Sequence, residues 1–282
     1  MNSFGGSLNK ISLQKILFLF TKRQQEPVYH FIPYKYGCFS YHANQDLNTL
    51  QKYKTISLDG NNWLLLDEYN YTNDLKATDR EILAVITKEF TNYNTKKLIA
   101  YTYNNFPYYA INSEIRRKQI NNKINTEIDS AIPVNDITAL YTIGYEGMSF
   151  EEYLNKLIKK DVKVLCDVRK NPVSMKYGFS KNQLKRACEQ INIRYEHLPG
   201  LGIDSNLRKD IYAQDRNALF KHYRETTLIT NNNDQDKIIE FVNKYKRVAL
   251  TCFESDLNSC HRLHLAENII NKNNISFTCT HI

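Results

Sequence analysis

The stretch LTCFESDLNSCHRLHLAE, Leu250–Glu267, starts inside an apolar run and ends inside an amphipathic one. RVALTCFE (247–254) is short, apolar and followed by turn residues, which reads as a buried strand. HRLHLAENIINKN (261–273) has helical periodicity. The joint between them gathers Cys252, Glu254, Cys260, His261 and Arg262. A strand feeding a helix in this way makes an α/β domain the first expectation.

Working outward, the same grammar fills residues 139–282. ALYTIGY (139–145) and KVLCDVR (163–169) read as strands around the helix SFEEYLNKLIKK (149–160). SKNQLKRACEQI (180–191), with Ser180 as cap, leads to the strand RYEHLP (194–199). DQDKIIEFVNKY (234–245) reads as a helix, SFTCTHI (276–282) as the last strand, and Asn231–Asn233 as a loop. Short apolar strands between helices call for a mainly parallel sheet covered by helices on both faces.

Residues 8–118 follow a different pattern. A helix spans Ser12–Thr21, with Ser12 as cap and Leu13, Ile16, Leu17 and Phe20 on one face. VYHFIPYKYGCFSY (28–41) is extended and aromatic, and a second helix carries Leu47, Leu50 and Tyr53 at intervals of three. Asp59-Gly60 between apolar runs signals a tight hairpin, and a third helix begins at Thr78 or Asp79. Helices followed by a small hairpin suggest a winged-helix-like α+β domain. Between the halves, residues 119–138 read as a linker or connecting helix. The surrounding segment is polar, its apolar residues are sparse isoleucines and one valine, and Pro133, Asn135 and Asp136 close it with a turn.

Composition narrows the function classes. The chain of 282 residues is 42% hydrophobic and 24% charged, the balance of a soluble globular protein. No apolar run reaches the roughly 18 residues that span a bilayer, and no secretory leader pattern opens the sequence. A cytoplasmic location is expected, with no membrane partner. The six cysteines form no CxxC pair, so a disulfide framework is not expected. The net charge is +8. Lys+Arg exceed Asp+Glu by 16 to 12 in residues 1–135 and by 22 to 18 in residues 136–282, so no basic tail carries the excess. Nucleic acid or a nucleotide is the partner this balance permits.

Two resemblances add to this reading. LQKILFLF, YHFIPYKYGCFS, DLNTLQKYKTI and LIAYTYNNFPYYAINSEI resemble, in order, the winged-helix domain called Panacea, related to the SocA antitoxin. That resemblance implies a regulatory or targeting role, with a protein partner met through the N-terminal domain. YTIGYEG, KVLCDVRKNPVS, RYEHLPGLG and VALTCFESDLNSCHR resemble the domain of unknown function family numbered 488. This second resemblance implies an α/β fold and no defined chemistry. Many relatives carry His-Ser where this chain has Tyr145-Glu146, so no role for that histidine carries over.

In open parallel sheets, ligands bind outside the carboxyl ends of the strands. Tyr145 and Glu146, Asp167 and Arg169, His197, and Cys252 with Glu254 all fall at such ends, while Cys260, His261 and Arg262 open the last helix. Three chemistries fit this set. Cys252, Cys260 and His261 are ligand types for zinc, with His197 or His264 as a fourth, although seven residues separate the two cysteines. Cys260 near a helix N-terminus, beside His261 and Arg262, fits a reactive thiol. Arg169 and Arg262 fit a phosphate clamp, with Asp167 and Glu146 left for acid–base work or for stabilising charge on a sugar. Ordinary explanations stand beside each: thiols as small core residues, and arginines paired with Asp167 or Glu146. In the first domain, Tyr34, Lys35, Tyr36, Lys52 and Lys54 mix aromatic and basic character, as a nucleic-acid face does. They fit a solvated surface or a hydrophobic contact equally well.

The expectation is a hydrolytic enzyme acting on nucleic acid or a nucleotide, with N-glycosidic cleavage as its specific form and a winged-helix module for targeting. The sequence requires no cofactor and leaves zinc open. The alternative is a non-catalytic nucleic-acid-binding regulator, or an antitoxin-like sensor of modified bases or of a partner protein.

Overall fold

In the computed structural model, which describes residues 1–207, 215–273 and 277–282, contacts divide the chain into two units, Met1–Ile132 and Pro133–Ile282. Ser276, the first residue of the expected last strand, lies outside the described residues.

The first unit opens with β1 (Ser7–Asn9) and α1 (Lys10–Thr21). Asn9 caps α1 by accepting from the Ile11 amide, so the helix begins before Ser12, whose hydroxyl instead meets Thr95 Oγ1 at 2.9 Å. β2 (Ile32–Tyr34) and β3 (Gly37–Phe39) pair antiparallel, and α2 (Tyr41–Lys52) follows, capped by Ser40. Leu47 is buried there, whereas Leu50 and Tyr53 are exposed, so intervals of three overstated the apolar face. β4 (Ile56–Asp59) and β5 (Asn62–Leu65) form the hairpin. Asp59 pairs with Asn62, which makes Gly60-Asn61 the turn, one residue later than expected. β1 adds to β5, giving an antiparallel sheet in the order β1-β5-β4.

α3 (Ala77–Phe90), α4 (Thr95–Asn105), α5 (Arg116–Gln119) and α6 (Asn122–Ser130) complete the unit. Half of the segment 119–138, read as a linker or connecting helix, is helical. Ile128 is buried with Ile99, Tyr103 and Ala110, and Ile120 and Ile124 pack against the same cluster. Ile124 and Ile128, four apart, share one face of α6, and the extended Ile120 just before it packs on the same cluster.

The second unit runs β6 (Ala139–Gly144), α7 (Phe150–Lys159), β7 (Val164–Asp167), α8 (Lys181–Gln190), β8 (Arg194–His197), α9 (Arg216–His222), α10 (Leu228–Thr230), α11 (Asn232–Tyr245), β9 (Arg247–Cys252), α12 (His261–Asn273) and β10 (Thr278–His281). Ser149 and Glu152 cap α7 reciprocally. Ser180 sits at the cap position of α8, but its hydroxyl donates to Ser174 O instead. The asparagine run expected as a loop is where α11 starts.

All five strands are parallel, in the order β10-β6-β9-β7-β8. β6 and β9 are buried along their whole length because helices cover both faces. Leu140, Val164, Cys166, Val248 and Leu250 pack on one face against Ile238 and Val242 of α11 and Leu265 and Ile269 of α12. Alternation turns Leu165, Asp167 and Thr251 to the other face, where the Tyr153 hydroxyl of α7 donates to Thr251 Oγ1 at 2.8 Å. Each fully buried aliphatic side chain contributes roughly 1.5–3 kcal/mol. No helix among the described residues is long and apolar enough to cross a membrane.

At the amino edge of the sheet, Arg247 is buried and donates to Lys160 O, Ile137 O and the Tyr141 hydroxyl. Arg247→Met strands those acceptors and should lower stability by about 3 kcal/mol. A urea midpoint equal to that of the unchanged protein would contradict this.

Strand order also sets where a ligand can enter. The chain passes from β6 to β7 and β8, then returns to place β9 between β6 and β7. That reversal leaves the carboxyl ends of β6, β9 and β7 side by side, the place where a crevice forms.

Candidate functional site

A cleft of about 340 Å³ opens at this edge, lined by Tyr145, Arg169, Lys170, Asn171, Val173, Ser174, Met175, Ile203, Ser205, Cys252 and Phe253. Three strand ends therefore contribute to it. The glycine loop after β8 helps shape it: a Cβ on Gly202 would lie 2.2 Å from Lys170 N. Only glycine lets that loop approach so closely.

The wall holding Arg169 rests on a closed polar network. Asp167 is fully buried. Its Oδ1 accepts from Arg169 Nε at 2.8 Å, and its Oδ2 from Arg169 Nη2 at 2.5 Å and the Tyr195 hydroxyl at 2.6 Å. Arg169 Nη1 also donates to the Tyr145 hydroxyl (2.8 Å) and Phe179 O (2.9 Å). Burial alone would lower the arginine's pKa, but the hydrogen bonds and charge of Asp167 raise it. Burial first, then the Asp167 charge, push the Tyr195 phenol up. Tyr145 stacks on Phe179 with ring centres 4.2 Å apart. The guanidinium is thus fixed by a bidentate carboxylate. Asp167, expected as an acid–base group, is not on the cleft wall, and both its oxygens are engaged by Arg169 and Tyr195. His197 supports the same turn: Lys181 Nζ lies 3.0 Å from its Nδ1, and its Nε2 lies 3.0 Å from Arg169 O. An ammonium can only donate, so the ring proton sits on Nε2 and is given to that carbonyl.

Cys252, Cys260 and His261 form a second, buried group on the face covered by α12. Cys252 Sγ lies 3.8 Å from His261 Nδ1 and 3.1 Å from Glu254 Oε2, and Cys260 Sγ lies 4.0 Å from the same Nδ1. A hydrogen bond from Cys260 favours the Cys252 thiolate and pulls its pKa down against burial, whereas burial and the neighbouring sulfur push Cys260 up. Burial, then Cys252, raises the Glu254 carboxyl. The expected single crevice is therefore split. Strand alternation turns Asp167 to the α7 face and Cys252 to the α12 face, and Arg169 and Cys252 meet only at the cleft.

Arg262 and Glu146 secure the loop between β9 and α12. Arg262 is fully buried and donates from Nη1 to Glu254 O (2.6 Å) and from Nη2 to Ser255 O (3.3 Å). It staples the loop, with both terminal nitrogens engaged by backbone carbonyls and none on the cleft wall. Glu146 accepts from the Ser255 amide (3.0 Å) and hydroxyl (3.1 Å), which lowers its pKa, and it too lies off the cleft wall. Neither histidine named as a fourth metal ligand joins the cysteines among the described residues. His197 is engaged as above, and His264 pairs with Glu267 at 3.5 Å.

In the first unit, Tyr34 and Tyr36 line a separate cleft of about 470 Å³ with Lys15, Phe39 and Trp63. Tyr34 stacks on Phe39. Lys35 pairs with Glu114 at 3.1 Å, while Lys52 and Lys54 are exposed at the end of α2. The five residues are thus not one continuous cationic face. Lys15 is fully buried, donates to Tyr36 O at 2.7 Å and has its pKa lowered by burial.

Sequence reasoning missed Lys170, Phe179, Tyr195 and the Val168 carbonyl, which lies 3.2 Å from His261 Nε2. Lys170 alone carried a signal, as a cation adjoining a strand-end arginine.

Residues 149–269 match the family model described as Domain of unknown function DUF488, which supports the resemblance seen in the second half. No curated protein and no solved structure matches the chain.

Proposed function

We propose that the second unit is a hydrolase directed at nucleic acid or a nucleotide, and that the first unit targets or regulates it. The observation that carries this reading is the composition of the cleft wall. Arg169 and Lys170 stand beside Phe253 and the exposed Val173 and Met175, with the Cys252 thiol among them. A nucleotide offers the complement, an anionic phosphate beside a flat base. Hydrolysis of an N-glycosidic bond calls for a carboxylate near the developing charge. With Asp167 committed to Arg169, Glu254 is the carboxylate left beside Cys252. For the first unit, two helices followed by the β4-β5 hairpin, with β1 added to it as β1-β5-β4 and the small β2-β3 ribbon between α1 and α2, support a winged-helix reading. Lys52 and Lys54 then sit at the end of its second helix. The sealed position of Asp167 favours the second reading, a non-catalytic reader of the same ligands.

Incubating the full chain with nucleotides, DNA and RNA, with product masses and affinities recorded, tests both. Lys170→Glu should weaken binding at least about tenfold and flatten the salt dependence by about one ion. Binding without product supports the reader. Absence of both product and binding removes both readings.

A further inference from the structure

We infer that Cys252, Cys260 and His261 form a zinc site with a fourth position open to the cleft. The two sulfurs and His261 Nδ1 lie within 4.8 Å of one another. Around a tetrahedral zinc such atoms stand roughly 3.5–3.8 Å apart, and the two S···N separations here are 3.8 and 4.0 Å. The S···N separations need a contraction of only a few tenths of an ångström, and the two sulfurs, within 4.8 Å, close onto the same centre.

The histidine is preset for this task. Its Nε2 lies 3.2 Å from Val168 O, and a carbonyl can only accept. Nε2 therefore carries a proton, and Nδ1 faces the two sulfurs. A backbone carbonyl that fixes the tautomer of a metal-binding histidine is the usual outer partner of such sites. Rigid elements hold the other ligands, since Cys252 ends β9 and Cys260 immediately precedes α12. Arg262 folds the seven intervening residues back by bonding Glu254 O and Ser255 O. The long spacing, which argued against zinc in the sequence, is thereby closed in space.

Two thiolates and an imidazole are soft and borderline ligands, which select zinc over magnesium or calcium. Three protein ligands with one position left open is the arrangement of catalytic zinc. Cys252 lines the cleft, so the open position is reachable by a ligand there. Resting on the hydrolase reading, water at that position gives one proton to Glu254, and its oxygen forms the bond to the scissile centre. The leaving group departs with the bonding pair and takes that proton.

The test loads the reduced 282-residue chain with zinc alone, and separately with cobalt(II). The expected result is one zinc per chain after gel filtration, a thiolate-to-cobalt charge-transfer band, and metal protection of Cys252 and Cys260 from alkylation. Cys260→Ser and His261→Gln should each weaken zinc binding by more than about a hundredfold, while Cys279→Ser at an exposed thiol leaves it unchanged. The alkylation map of the unchanged protein decides the matter if the variants do not fold. Substoichiometric zinc, or Cys252 and Cys260 alkylated as readily with zinc as without it, would each overturn the site. Zinc content is read without substrate, so stoichiometric zinc with no turnover removes the hydrolase reading and leaves the site standing.

Discussion

Asp167→Asn lowers the stability of the protein by about 3–5 kcal/mol, the expected effect of leaving a buried arginine without its counter-charge. Arg169 is only 6% exposed and Asp167 fully buried, so water cannot replace the lost carboxylate. The amide also turns an NH2 group toward a guanidinium or a phenol that are both donors. A drop in melting temperature on the order of 10 °C follows for a chain of this size. Tyr195→Phe, which removes one hydrogen bond and leaves the ion pair, should cost about 1 kcal/mol. Thermal melts of the two variants check the ranking. An Asp167→Asn protein as stable as the parent, but inactive, would return Asp167 to the acid–base role.

Gly144→Ala should destabilise by roughly 3 kcal/mol, the upper end for overpacking. The new Cβ would lie 1.8 Å from Glu254 O and 2.6 Å from its carbonyl carbon. Both are backbone atoms, and Arg262 anchors that same oxygen, so the β6 and β9 exits must separate. Gly147→Ala is the control: it has open space and a φ of 76°, so only backbone strain of about 1 kcal/mol is expected. Equal denaturation midpoints for the two variants would show that the loop yields freely.

The parallel sheet was legible because β6, β7 and β9 are short apolar runs between amphipathic helices, and a pattern of period survives in one dimension. The helix of residues 122–130 was legible too, in Ile124 and Ile128, but polar neighbours masked it. α9 and α10 went unread, although Leu219, Phe220, Tyr223 and Leu228 enter the core. Of the candidate site, strand-end position brought out Tyr145, Arg169 and Cys252, all of which line the cleft.

The sequence by itself determined the α/β class, the strand-end location of the polar residues, and the cysteine-rich joint between β9 and α12. Those follow from local periodicity and from the rule that parallel strands share an edge. Which charges pair, and which face each strand end serves, was decided only by tertiary structure. Asp167 is two residues from Arg169 but meets Tyr195 from β8. Cys252 turns away from Asp167 because the two strands expose opposite pleats at that edge, and His261 gains its tautomer from Val168, far away in the chain. Partner choice among buried polar groups depends on distances across strands, and those distances exist only once the sheet has formed.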